Sequence, residues 1–249
     1  MRNPYFLPLA ALLTLLPLLG FGQQTRPVNR KLANGWNREE YSVLESDPTI
    51  KHGPYRMYQG GSSETLAVDG YYTNGQKDSL WTVYNRWSSK PEVRSRGRYR
   101  QGQKVGVWEY FGAKQELEQR YDHTQRQLLQ HKANEKARIT FKPVGTTAAL
   151  DQEAVYIGGA TAVMDFIGST VKYPIDALRN QQSGTVRIAF IIAADGTVSD
   201  YRVAHPAAAS MTEESLRVIK LLPATWVPAQ AAGQPVASEC EIGVVFMMK

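Results

Sequence analysis

The side chains best suited to chemistry in this 249-residue chain are few and scattered. Its four histidines, His52, His123, His131 and His205, form neither a His-x-x-x-His pair nor a Glu-flanked metal motif. The single cysteine, Cys240, can close no internal disulfide, and a cysteine-based zinc site would lack ligands. Cys240 sits in an apolar alternation between Glu239 and Glu241. Those carboxylates would raise its pKa, the wrong direction for an activated thiol, so it reads as a small core residue. Asp195 and Asp200 flank a turn and need no acid–base role. No Gly-x-Ser-x-Gly elbow or phosphate-binding glycine loop occurs. The residues therefore predict a binding protein without cofactor or metal, not an enzyme.

Charge is the next chemical feature. Hydrophobic residues make up 43% and charged residues 21%, which excludes a wholly disordered chain. The formal charge is +6, but residues 86–142 hold 14 Lys/Arg against 6 Asp/Glu, while 155–249 hold 7 against 8. Arg94, Arg96, Arg98 and Arg100 alternate along one predicted strand. Two readings stay open: contact with anionic lipid or cell-wall acid groups, and a solvated face that discourages edge pairing.

Residues 3–25 carry no charge and follow Arg2. Leu7 to Leu19 is apolar apart from Thr14, Pro8 and Pro17, and Gly20 and Gly22 follow. This fits a signal peptide cut before Gln23, or a membrane anchor over residues 4–22. Either way the rest of the chain is exported, which makes nucleic acid a poor partner.

The elements that must position these residues fall into two kinds. In the middle, Gly70-Tyr71-Tyr72-Thr73-Asn74-Gly75-Gln76-Lys77 and then Trp81 recur 27 positions later as Gly97-Arg98-Tyr99-Arg100-Gln101-Gly102-Gln103-Lys104 and Trp108. A truncated copy, Lys51-His52-Gly53-Pro54-Tyr55, precedes them at an offset of 26, and residues 85–95 are inserted between copies two and three. Asn74-Gly75 is a hairpin turn signal, and Trp81, Val83 and Trp108, Tyr110 fall at strand period on one face. Trp81, Trp108 and Tyr72 read as packing between hairpins. Residues 116–131 add a further hairpin or a helix.

Towards the C-terminus the period changes. Val163, Phe166, Ile167 and Val171 have helical spacing, ended at Tyr173-Pro174. Val186, Ile188, Phe190 and Ile192 mark a strand, Asp195-Gly196 a turn, and Val198 to Val203 the return strand. Ser210-Met211-Thr212-Glu213 has capping-box spacing before the Leu216, Ile219, Leu222 stripe. Cys240, Ile242, Val244 and Phe246 share one face of a last strand. The predicted class is α+β: a helix-β-β-helix-β domain preceded by antiparallel β-hairpin repeats. The expected boundaries are 1–22 signal or anchor, 23–49 N-terminal linker, 50–132 repeat region, 133–157 linker and 158–249 terminal domain.

The Gly, Tyr, Gly, Lys and Trp frame over about residues 50–122 resembles the MORN repeat. Residues 158–248 resemble the TonB C-terminal domain. The likeness runs through Tyr173-Pro174, Gly184-x-Val186, Asp195-Gly196, Trp226-x-Pro228, Gly233-x-Pro235-Val236 and Phe246. That resemblance implies a periplasmic location in a Gram-negative envelope, with inner-membrane anchoring if residues 4–22 are retained. It implies an outer-membrane TonB-dependent transporter as partner and ExbB/ExbD-like inner-membrane proteins, and it leaves a homodimer open. It also implies binding of an extended transporter segment by strand addition, with Tyr173, Pro174, Glu239, Cys240, Glu241, Ile242, Gly243 and Val244 as contact residues and the last strand as the sheet edge. Three departures stand out. No histidine precedes His52, no long Pro/Lys-rich arm is present, and Gly243 replaces the family's proline. The alternative function is an envelope adaptor whose basic repeats contact lipid or cell wall without energy coupling.

Overall fold

The structure, a computed structural model, describes residues 23–60, 63–134, 137–145 and 148–248. The segment 1–22, read as a signal or anchor, lies outside the described residues. Among the described residues no helix is long and apolar enough to cross a membrane.

Nine strands form one antiparallel meander in chain order. They are β1 Thr25–Lys31, β2 Asn37–Leu44, β3 Lys51–Gln59, β4 Thr65–Thr73, β5 Gln76–Tyr84, β6 Val93–Arg100, β7 Gln103–Phe111, β8 Leu117–Asp122 and β9 Gln127–His131. The repeat has a steric cause. A Cβ on Gly70 would stand 2.3 Å from the Trp81 ring, and one on Gly97 would stand 2.3 Å from the Trp108 ring. Each glycine therefore exists so that the next strand's indole can lie across it. Trp81 Nε1 donates to the carbonyls of Tyr71 and Asp78, and Trp108 Nε1 donates to that of Arg98. Lys77 Nζ lies 4.4 Å above the Trp81 ring, and Lys104 Nζ 4.2 Å above Trp108. Tyr72 and Tyr99 meet the two indoles edge-on at 5.2 and 5.1 Å. The turns repeat too: Asn74 and Gly75 have φ 49° and 80°, Gln101 and Gly102 50° and 79°.

Two expectations change here, and one open alternative is settled. Residues 23–49 are not a linker but carry β1 and β2, with Val43 and Leu44 buried. Residues 116–131 are a hairpin, not a helix. Val83 does not share the burial of Trp81 and is exposed.

The C-terminal unit begins earlier than expected. Its elements are β10 Ile139–Pro143, β11 Val155–Tyr156, α1 Gly159–Thr170, α2 Ile175–Arg179, β12 Gly184–Ile192, β13 Val198–His205, α3 Ala209–Lys220, β14 Trp226–Val227, β15 Ala229–Ala231, β16 Gln234–Val236 and β17 Ser238–Phe246. The main sheet has the order β10-β17-β12-β13. Val186, Ile188, Phe190 and Ile192 of β12 join Cys240, Ile242, Val244 and Phe246 of β17 in one core with Val163, Ile167, Met211, Val218 and Ile219 from the helices. This is the expected α+β order. The expected capping box is absent, because α3 starts at Ala209, one residue before Ser210, and its N-cap is Ala208. Thr212 Oγ1 instead accepts the Ala207 N–H at 3.2 Å.

The two units meet through buried polar groups at one rim of the repeat sheet. Gln119, fully buried, donates from Nε2 to Tyr156 O at 2.9 Å and accepts the Gly158 N–H at 2.7 Å. Glu118 Oε1 accepts the Thr161 N–H at 3.2 Å, capping α1 from outside its own unit. Gly159 has no Cβ, which would otherwise meet the Glu118 carboxyl at 2.7 Å.

Candidate strand-addition site

Strand addition needs a sheet edge with unpartnered backbone groups. The expected edge, Glu239 to Phe246, is an interior strand instead. On one side β17 pairs with β12 over nine residue pairs, from Gly184↔Phe246 to Ile192↔Ser238. On the other it pairs with β10, from Ile139↔Ile242 to Pro143↔Ser238. Beyond both ends of that register Gly243 N donates to Arg138 O and Val144 N to Ala237 O, each at 2.9 Å. The span 133–157, read as a linker, therefore supplies the strand that covers the site. Its apolar residues explain why. Ile139 and Phe141 stand opposite Ile242 and Cys240, pack on the same core, and bring the Phe141 ring 6.2 Å from that of Trp226.

The site residues occupy definite places along this seam. Cys240 and Ile242 point into the core and are fully buried. Burial pushes the Cys240 thiol well above its ordinary pKa, with Glu153, Glu241 and Glu239 adding to it, so burial outweighs the carboxylates emphasised above. Glu239 and Glu241 are held by β13 and β12: Arg202 pairs with Glu239, and Arg187 Nη1 lies 2.9 Å from Glu241. Gly243 faces Arg138, whose Cβ would lie 3.2 Å from a Cβ at position 243. Val244 stands opposite Val186 of β12 and is fully buried in the core. The Tyr173 ring meets Phe246 edge-on at 5.4 Å, and its hydroxyl donates to Gln182 O at 2.6 Å. Pro174 opens α2, and its carbonyl accepts the Leu178 N–H. The structure thus brings Tyr173 and Pro174 to the C-terminal end of the strand holding the other six residues. The sequence reading missed the exposed Ile175 and Leu178 beside them, whose apolar character in a short polar turn was the available signal.

Beside β10 lies a groove of about 570 Å³ lined in part by Arg138, Phe141, Tyr156, Arg187 and Trp226. The opposite edge of the sheet, β13, suits pairing less well. It has two register shifts against β12, and Asp200 takes φ 54°. Such bulges turn an edge away from incoming strands.

The four arginines do not act together. Arg94 is nearly buried, lies 3.0 Å from Asp165 of α1 and donates to Gly112 O. Arg96 pairs with Glu109 at 2.7 Å and lies 5.4 Å from the Phe111 ring centre. Arg98 and Arg100 stand exposed. Two of the four are therefore engaged in ion pairs within the molecule, Arg94 largely buried and Arg96 still exposed.

The sequence also hid a titratable cluster. Tyr110 Oη shares a 2.8 Å hydrogen bond with His123 Nε2 and accepts from Lys104 Nζ at 3.3 Å. Burial lowers the His123 pKa to about 4, and Lys104 nearby adds to this. Burial lowers that of Lys104 to about 8. Among the described residues no three metal-ligating side chains cluster.

No curated protein and no solved structure matches the chain. One family model does, described as Gram-negative bacterial TonB protein C-terminal, over residues 169–248. That span begins inside α1 and ends just past β17, so the C-terminal domain of this chain is similar to the TonB C-terminal family, and the nine-stranded sheet lies outside the match.

Proposed function

We propose that this is a periplasmic envelope protein acting in transport. Its C-terminal domain recognises an extended segment of an outer-membrane transporter by strand addition, without catalysis. The family match over 169–248 carries the reading. Strand addition along β17 requires β10 to leave that seam, and it needs no particular reactive side chain. The nine-stranded sheet serves as the spacer. Eight inter-strand steps of about 4.8 Å give it a breadth of about 40 Å. The adaptor reading draws less support, since Arg94 and Arg96 are already paired.

Photo-cross-linking in intact envelopes tests the proposal. A photoreactive residue in place of exposed Ile175 should yield an adduct with an outer-membrane transporter. The adduct should vanish when the transporter's N-terminal segment is deleted. An adduct pattern indifferent to that deletion would overturn the reading. The intact mass of the extracted chain separates a mature start at Gln23 from an anchored form that engages ExbB/ExbD-like proteins.

A further inference from the structure

The seam on β17 is filled by the chain itself, and the filling segment has the properties of a ligand. Residues 138–144 lie outside the span 169–248 that matches the family. Residues 132–138 join β10 to β9, and 144–154 join it to β11. β10 has one neighbouring strand and five residues of register, and it ends at Pro143, which has no N–H to give. Nine pairs, by contrast, hold β17 to β12. Departure of β10 leaves the β17-β12-β13 pairing whole.

We propose that residues 138–144 are a displaceable resident strand that closes the strand-addition edge of β17. The ligand of that edge is then an extended peptide with the resident's own alternation. This rests on the strand-addition reading above. The ligand is apolar where Ile139 and Phe141 stand, because those positions face Ile242 and Cys240 in the core. It is polar or basic where Thr140 and Lys142 stand, because those positions face Glu241 and Glu239. An acidic residue there would meet two carboxylates already engaged by Arg187 and Arg202. A short tether holds the resident at an effective concentration on the order of millimolar. A dilute peptide is therefore excluded, while a partner concentrated in the same compartment competes.

The native cysteine supplies the test. Arg138 and Gly243 form a hydrogen-bonded pair, so by alternation Phe141 and Cys240 form a non-hydrogen-bonded pair, with the closer Cα approach. That approach lies within disulfide range. In full-length F141C, Cys240 is the only other thiol, and oxidation locks β10 in place. The probe is a fluorescent peptide copying residues 137–145. Reduced F141C should bind it and oxidised F141C should not. T140P, which removes an N–H from the centre of the resident, should bind it about tenfold more tightly than the parent chain. In the parent chain the Gly243 amide, which faces β10, should exchange with solvent faster than the Ile242 amide, which faces β12 by alternation. Three results would each overturn the proposal: equal exchange at the two amides, equal probe binding by oxidised and reduced F141C, or no binding by T140P once Gly243 is unprotected. A T140P chain that takes this probe but no transporter peptide would instead overturn the transporter reading and leave the resident strand standing.

Discussion

Position 243 shows how one residue can decide the fate of an edge. Gly243 gives β10 both a donor and a close backbone approach to Arg138. Proline there would remove the donor. G243P should cost about 1 kcal/mol, the net worth of one hydrogen bond, and should raise amide exchange across 138–142 while β12–β17 protection persists. Loss of protection along β12 as well would show that β10 is integral to the sheet. A second residue-scale expectation comes from His123, held at a pKa of about 4 instead of its ordinary 6.5. Between pH 6.5 and 4 the unfolded chain takes up a proton that the folded chain refuses. Stability therefore falls on acidification through that window and is fully kept above it. Lys104 has the same sign at higher pH. From about 8 to 10.5 the unfolded chain keeps a proton that the folded chain has lost, so stability rises with pH. H123Q should flatten the melting temperature between pH 4 and 6.5. A variant whose profile matches the parent's would show that His123 titrates normally.

Among the elements, the repeat hairpins offer the sharpest contrast. G97A puts a Cβ 2.3 Å from the Trp108 ring, which must shift in a packed aromatic row. It should cost about 3 kcal/mol by chemical denaturation, and G70A against Trp81 about the same. G168A in α1 meets nothing within 4 Å and should instead stabilise by about 0.5–1 kcal/mol. A repeat-glycine variant as stable as the parent would break the link between the sequence repeat and the indole packing. These hairpins were legible because glycine, turn and tryptophan recur at one offset, each with a local physical role. The terminal domain was legible because β12, β17 and α3 have clean periods. β10 was not, because the alternation of Ile139 and Phe141 with Thr140 and Lys142 is confined to five residues ending in proline, and their partner lies about 100 positions downstream. β1 and β2 were missed because their residues remain mostly exposed or half-buried, so no apolar alternation marks them. The α3 cap failed for a smaller reason: Thr212 back-bonds to the preceding loop, and the helix begins two residues early, with Ala208 in place of Ser210 as its N-cap.

For the whole molecule, the consequence concerns reach. As a free tether, 133–157 could extend to at most about 80 Å. In the folded chain β10 and β11 take up much of that length, and the terminal unit is clamped to the rim of the repeat sheet. Any distance spanned must then come from the sheet and from what precedes it. Gln119 is the centre of the clamp, since it donates to Tyr156 O and accepts from Gly158 N without access to water. Q119A would leave both backbone groups buried and unpaired, an expected cost of about 2–3 kcal/mol. Because Glu118 caps α1 and Arg94 pairs with Asp165 at the same rim, the loss should also loosen the coupling between the units. Calorimetry should resolve one transition in the parent chain and two in Q119A, the units then melting as separate cooperative blocks. Q119E keeps an acceptor for Gly158 but turns a buried carboxylate oxygen on the Tyr156 carbonyl, and at neutral pH should destabilise at least as much as Q119A. A single unshifted transition in Q119A would mean that Gln119 contributes nothing to the coupling, and that contacts such as Glu118 on α1 and Arg94 with Asp165 hold the two units together without it.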